Sequence, residues 1–274
     1  MNKYWEESRT QLAFWLSIPI ALLGGLMGLG GAEFRLPVLA SILGYSARQS
    51  VPLNLAVSLV TILFSLLIRS QTLAIDSLIP NRQILLSLIV GAAISAWLGA
   101  TWARKISNEQ LEKIILVFLV SIGLALIVEA FLPKALPAII PAIFIWQIVV
   151  GILCGLVIGL VSSVLGVAGG ELIIPTLIFG FGLDIKTAGT ASLIISLPTV
   201  ITGIIRYSQK QAYRDRFAFN NTVIPMGVGS IIGAILGGML VGIINARLLK
   251  LILGVILIIS AFKVFHSLKK HDRF

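Results

Sequence analysis

The sequence predicts an all-α polytopic membrane protein of about eight transmembrane helices, arranged as two tandem four-helix repeats that each open with a discontinuous helix. Three observations carry that prediction. The 274 residues are 58% hydrophobic and only 12% charged, too little polar surface for a soluble domain of this length. Apolar runs of roughly 18 or more residues, long enough to span a bilayer, follow one another from end to end. The first half, residues 1–136, also matches the second, residues 137–274, at a gap-free offset of 138.

Eight apolar blocks run near Leu12–Leu43, Val51–Ile68, Ile84–Ala103, Leu111–Leu132, Ile139–Gly180, Ala188–Ile205, Thr222–Ile243 and Leu248–Phe265. The first and fifth are too long for one straight crossing of a ~30 Å hydrocarbon core at ~1.5 Å per residue. Each is interrupted by glycines and then a proline, which disfavour continuous helix. The duplication shows most clearly there: Gly28-Leu-Gly-Gly-Ala-Glu-Phe-Arg-Leu-Pro37 aligns with Gly166-Val-Ala-Gly-Gly-Glu-Leu-Ile-Ile-Pro175. Far from that point the same offset sets Ser70-Gln71 on Ser208-Gln209, Gly91 on Gly229 and Gly99 on Gly237. Apolar residues match by accident; Gly, Glu, Pro and Gln in register do not.

The formal charge of +10 comes from basic residues scattered through short loops, with no basic stripe or aromatic platform for nucleic acid. In a membrane protein such loops set orientation. With one crossing per block, Met1–Gln11, Arg69–Arg82, Lys134, Arg206–Arg216 and the tail share one side, while Arg48, Arg104, Lys105, Lys113, Lys186, Arg247 and Lys250 share the other. The excess of Lys and Arg places both termini in the cytoplasm of a multi-pass protein of the cell inner membrane. Four crossings per half make the repeats parallel; an added re-entrant piece inverts them. The first apolar run, with no small-residue cleavage site after it, reads as a helix rather than a signal peptide.

Chemistry concentrates at the two glycine-to-proline breaks. A broken helix frees N–H and C=O groups that must be satisfied within the membrane, and the start of a second half-helix offers N–H donors and a positive dipole end to an anion. The backbone around Gly30, Gly31, Ala32, Gly169 and Gly170 is therefore a candidate substrate cradle. Glu33 and Glu171 occupy one repeat position, as proton carriers or as caps of the half-helices. Arg35 lacks a repeat partner, since Ile173 stands in its place, and is either the anion's positive charge or the partner of a glutamate. Asn54, with Thr190 and Ser192, forms a second polar layer at the start of the next block of each half, either donating to an anion or joining helices. Arg69, Arg206 and Tyr207, at the far ends of those helices, read as interface anchors.

Enzyme signals are missing from the sequence. No Gly-Lys-Ser/Thr follows the glycines and no His-Glu-x-x-His occurs; Asp184 reads as a loop turn. The single cysteine, Cys154, excludes an intrachain disulfide and a cysteine metal cluster. We expect no catalytic residues, no metal and no cofactor, with a small anion and the lipid bilayer as partners and no nucleic acid.

The paired segments at 28–39 and 166–177, with Asp184-Ile-Lys-Thr-Ala-Gly-Thr-Ala-Ser192 after the second, resemble the duplicated glycine-rich, proline-ended motif of TauE/SafE permeases, and the resemblance covers essentially the whole chain. It implies a secondary carrier for small sulfur-containing anions such as sulfite or organosulfonates. Ala32 and Ala168 depart from the family's glycine runs, and Arg35 replaces an ordinary apolar residue. The expectation is a secondary transporter of a small anion, proton-coupled through Glu33 and Glu171, with a passive anion channel as the alternative.

Overall fold

A computed structural model of the chain describes residues 3–72, 75–102, 108–132, 138–245, 247–248, 251–252, 254–255 and 258–259. Among them the fold is all-helical. The elements are α1 (Lys3–Met27), α2 (Ala32–Pro37) running into a π-helical turn at Val38–Ile42, α3 (Ala47–Thr72), a 3-10 turn at Ile75–Asn81, α4 (Arg82–Trp102) and α5 (Asn108–Phe131). Then come α6 (Phe144–Leu165), α7 (Gly170–Pro175) with a π-helical turn at Thr176–Gly180, α8 (Ile185–Gln209), the short α9 (Arg216–Ala218) with a π-helical turn at Phe219–Val223, and α10 (Ile224–Leu240). Six helices among the described residues are long and apolar enough to cross a membrane. The fourth expected block is α5, and most of the eighth, Leu248–Phe265, lies outside the described residues.

Polarity is distributed for a lipid solvent. Glu33, Arg35, Arg69 and Glu171 are all buried, whereas Leu67, Leu86, Leu153, Val157 and Met239 are each more than half exposed. Water would drive the opposite arrangement; hydrocarbon tolerates it. The chain is a membrane protein of multiple apolar helices.

Both predicted breaks are present, but they are shorter than expected. The non-helical backbone is confined to residues 28–31 and 166–169, and helix resumes at Ala32 and Gly170. The glycines make the break: Gly28, Gly31, Gly166 and Gly169 all take positive φ, between 68° and 84°, where a Cβ is strained. Pro37 and Pro175 instead close the short helices in ordinary helical geometry, with φ near −60°. Having no N–H, each withholds the helical donor from the carbonyl four residues back, which belongs to Glu33 and to Glu171 respectively.

The larger correction concerns direction. The chain does not continue across the bundle after the first break; it turns back. A side chain at Gly31 would press on Ile20, one at Gly24 on Gly31, and the Arg9 guanidinium donates to the Leu43 carbonyl and stacks 4.5 Å over Tyr45. Thus α2 and its π-turn descend beside α1 to the end where α1 began. The second half does the same: Ile139 and Ile140, just before α6, donate to the Phe179 and Gly180 carbonyls at 3.1 and 3.0 Å. Arg9 and Arg48 therefore share one end of the bundle, and Arg69 and Arg82 lie at the other. This overturns the loop assignment that counted one crossing for the whole first block. A glycine break gives the position of a bend but not its angle, which the packing of Gly31 on Ile20 decides.

Helix directions follow from the closest packings. Side chains at Gly229, Gly233 and Gly237 of α10 would run into the Phe14, Ile18 and Leu22 carbonyls of α1, so α1 and α10 lie parallel. Side chains at Gly155 and Gly159 of α6 would meet the Leu88 and Ala92 carbonyls of α4, and Gly99 lies against Ser163, so α4 and α6 are parallel as well. Glycine at every fourth position lets backbones approach, the small-residue packing of membrane helices. By contrast Gly28 and Arg69 lie against Gly189, near the start of α8, and Tyr213 just past its end bonds to the Pro52 carbonyl near the start of α3, so α3 and α8 are antiparallel. Helix pairs 138 residues apart (α1 and α6, α3 and α8) thus run in opposite directions, and the tightest contacts join one half of the sequence to the other.

This packing makes Gly233→Leu an overpacking change at the α1–α10 contact, with an expected loss of about 1–3 kcal/mol or more. Leu236→Ile, on the exposed face of the same helix, should be nearly neutral. Thermal unfolding of both detergent-purified variants checks the contrast; equal stability would contradict the contact.

Candidate functional site

The two breaks meet. A Cβ built on Gly30 would lie 3.2 Å from the Ala168 Cβ, and one on Gly170 would lie 2.9 Å from the Leu29 Cα. The chain returns at Gly31 beside Ile20, eleven residues beyond Arg9, or about 16 Å along the helix. That is near half the depth of a ~30 Å hydrocarbon core.

Asn54 fastens this junction. From α3 its Nδ2 donates to the Ala32 carbonyl just after one break at 2.8 Å and to the Gly166 carbonyl of the other break at 2.7 Å. Its Oδ1 accepts from Arg35 Nη1 at 3.1 Å. The Arg35 guanidinium further donates to Ser58 Oγ at 3.0 Å, Thr61 Oγ1 at 3.0 Å and the Gly30 carbonyl at 3.4 Å. Arg35 is wholly buried, and its Nε alone has no acceptor. Asn54, Ser58 and Thr61 succeed one another at four- and three-residue spacing and so line one face of α3.

Glu33 and Glu171 each sit in the first turn of a short helix. Both are buried, at 0% and 1% exposure, and no carboxyl oxygen of either has a hydrogen-bond donor among the described residues. The two carboxyl groups approach each other across the junction, each beside the backbone N–H of its own residue at the start of a short helix, with Arg35 as the cation acting on Glu33. Orphaned polar groups at full burial are costly, and four acceptor oxygens in one place mark a site whose protons or ligands complete it.

The predicted residues fall into three sets. Gly30, Gly31, Ala32, Glu33, Arg35, Asn54, Gly169, Gly170 and Glu171 belong to the junction. Ser192 of α8 joins them, its Oγ lying 2.9 Å from the Cβ position of Gly170 and without a hydrogen-bond partner among the described residues. Thr190 donates back to the Lys186 carbonyl of its own helix at 3.1 Å. Asp184, expected as a loop turn, is the N-cap of α8, accepting from the Lys186 and Thr187 N–H groups at 3.0 and 3.1 Å.

Two residues read as interface anchors are interior. Arg69 is 1% exposed and donates to the Leu26 carbonyl at 3.4 Å, while Tyr207 is 6% exposed and its hydroxyl donates to the Ser163 carbonyl at 2.9 Å. Both supply donors to carbonyls that the last turns of α1 and α6 leave unpaired. A basic or tyrosine residue near a helix end gives the same sequence signal whether it snorkels or turns inward. The clue that distinguishes them is their shared repeat position. Arg206 keeps the expected character, partly exposed with its guanidinium 4.7 Å over the Trp97 ring.

Asn54→Ala should cost at least about 2 kcal/mol, because it removes three buried hydrogen bonds, one of them from the Arg35 guanidinium, at roughly 0.5–3 kcal/mol each. Ser192→Ala at the matching position, where no bond is lost, should cost under about 1 kcal/mol. Chemical or thermal denaturation in detergent reads the difference, and equal losses would contradict the bridging role of Asn54.

No curated protein matches the chain. The sequence profile of the Sulfite exporter TauE/SafE family, however, matches residues 2–126 and 151–273, nearly the whole length. With its apolar helices and buried polar breaks, the chain belongs to the sulfite exporter TauE/SafE family of membrane transporters for sulfur-containing anions.

Proposed function

We propose that the protein is a secondary transporter of a small sulfur oxyanion or organosulfonate, coupled to protons through Glu33 and Glu171. One observation carries the reading: a buried arginine and two buried carboxyls with no hydrogen-bond donor meet where two broken helices abut. With both carboxyls ionised the three groups sum to one negative charge, which repels an anion. One shared proton makes the cluster neutral and a second makes it positive, so a monoanion is matched only by a protonated site. Two like charges at one buried point also favour sharing a proton over dual ionisation. The anion then lies near the Arg35 charge and against Ser192, with backbone N–H groups from Gly31, Ala32, Gly169 and Gly170 around it, while Asn54 holds the junction together.

We read the chain as two repeats of inverted topology, 1–136 and 137–274, because elements in matching positions run in opposite directions. Such pairs supply alternating access by exchanging two related conformations around a fixed site. Arg9, Arg48, Lys210, Arg214 and Arg216 gather at one end against Arg82, Lys186 and Arg247 at the other, which supports a cytoplasmic N-terminus in the cell inner membrane.

Proteoliposomes loaded with sulfite, thiosulfate, sulfoacetate or sulfate test the function. A saturable flux that runs uphill when a pH gradient is imposed is expected for at least one anion. Glu33→Gln and Glu171→Gln should abolish pH-driven accumulation while sparing anion-for-anion exchange. Non-saturating flux that only follows the electrochemical gradient of the anion would replace this reading with a passive channel.

A further inference from the structure

On α3 the hydroxyls of Ser58 and Thr61 are used in both senses. Each donates to its own helix, Ser58 to the Asn54 carbonyl at 2.7 Å and Thr61 to the Val57 carbonyl at 3.2 Å, and each accepts from Arg35. Helix α8 carries Ser192, Ser196 and Thr199 at the same spacing and 138 residues later. The arginine is absent there: Ile173 stands in place of Arg35, on the short helix α7 that packs against α8. Thr199 bonds back to the Ile195 carbonyl at 2.9 Å, but Ser192 Oγ and Ser196 Oγ have no hydrogen-bond partner among the described residues, although both residues are at most 1% exposed. A serine in a buried helix ordinarily donates to the carbonyl one turn back. Ser192 and Ser196 make no such bond, and they share this with Ser50, Ser65 and Ser230; what sets them apart is their place on α8, matched to Asn54 and Ser58.

We propose that Ser192 and Ser196, opposite Ile173, form the oxyanion subsite of the carrier, where the oxygens of the substrate take the place that the Arg35 guanidinium fills on α3. The chemistry differs in sign between the halves. On α3 the oxygens face a cation and act as acceptors; on α8 the hydroxyls are uncommitted donors, and donors suit the oxygens of a sulfur oxyanion. Isoleucine is shorter than arginine and carries no donor, so it leaves the ladder unclaimed. Ser192 lies at the foot of α7 beside Gly170, next to Glu171, which joins this subsite to the carboxyl pair. The inference rests on the transport reading above and assigns Ser196 and the Ile173 position to its site.

The test is sulfite and thiosulfate uptake by the full-length protein in proteoliposomes, read as KM, with thermal stability followed in parallel. Hydrogen bonds to a charged partner are strong enough that Ser192→Ala and Ser196→Ala should each raise KM about tenfold or more, with stability retained. Ile173→Arg places a guanidinium where the substrate binds and should abolish saturable uptake in a protein that still folds. If that variant fails to fold, the two alanine variants decide. An unchanged KM in the Ser192→Ala/Ser196→Ala double variant overturns the subsite while leaving the transporter intact. Absence of saturable uptake by the unaltered protein, for every anion tried, overturns the transport reading itself.

Discussion

Backbone that ceases to be helical inside a hydrocarbon solvent must find a partner for every N–H and C=O it releases. The structure depends on how that constraint is met at residues 28–31 and 166–169. One amide ties the two regions together: Asn54 donates to the Gly166 carbonyl in one break and to the Ala32 carbonyl just after the other, and Arg35 locks the same asparagine from the other side. At the opposite edges Arg69 and Tyr207 serve the last carbonyls of α1 and α6. Among the described residues the Glu33 and Glu171 carboxyls and the Ser192 and Ser196 hydroxyls have no hydrogen-bond partner, as is also true of the Ser50, Ser65 and Ser230 hydroxyls. Two buried carboxyls left open beside a buried arginine have the distribution expected of a binding site, where ligand and protons supply the missing partners.

The route by which the breaks come together is topological. Re-entry of α2 returns the chain to its starting end, so α3, α4 and α5 leave α6 running opposite to α1. Matching helices then pack across the boundary between halves, α1 on α10 and α6 on α4, with glycine against carbonyl at each contact. The halves cannot be two separate bodies; they interlock. Interlocked elements of opposite direction are what the proposed carrier would need to expose a single central site to the two ends of the bundle in turn.

Much of this was legible in the sequence because its signals are local. Glycines that need positive φ, prolines that stop a donor ladder and glutamates in an apolar run each announce themselves, and the 138-residue offset pairs them. The sense of the turn at Gly28–Gly31 was not legible, since a collinear and a doubled-back chain use the same residues. Only the packing of Gly31 on Ile20 selects between them. The inward course of Arg69 and Tyr207 was hidden for a similar reason, because snorkelling and carbonyl capping draw on one side-chain chemistry. The contrast between a satisfied ladder on α3 and an open one on α8 was half visible as Arg35 against Ile173. Its meaning needed the hydrogen bonds.

The central claim is that anion binding and carboxyl protonation at the junction are one event. Calorimetric titration of a transported anion into the purified protein, repeated in buffers of different ionisation enthalpy, measures the protons exchanged on binding. The account predicts net proton uptake as the anion binds, abolished in a Glu33→Gln/Glu171→Gln protein that still binds the anion. Anion binding with no proton exchange in the unaltered protein would contradict it.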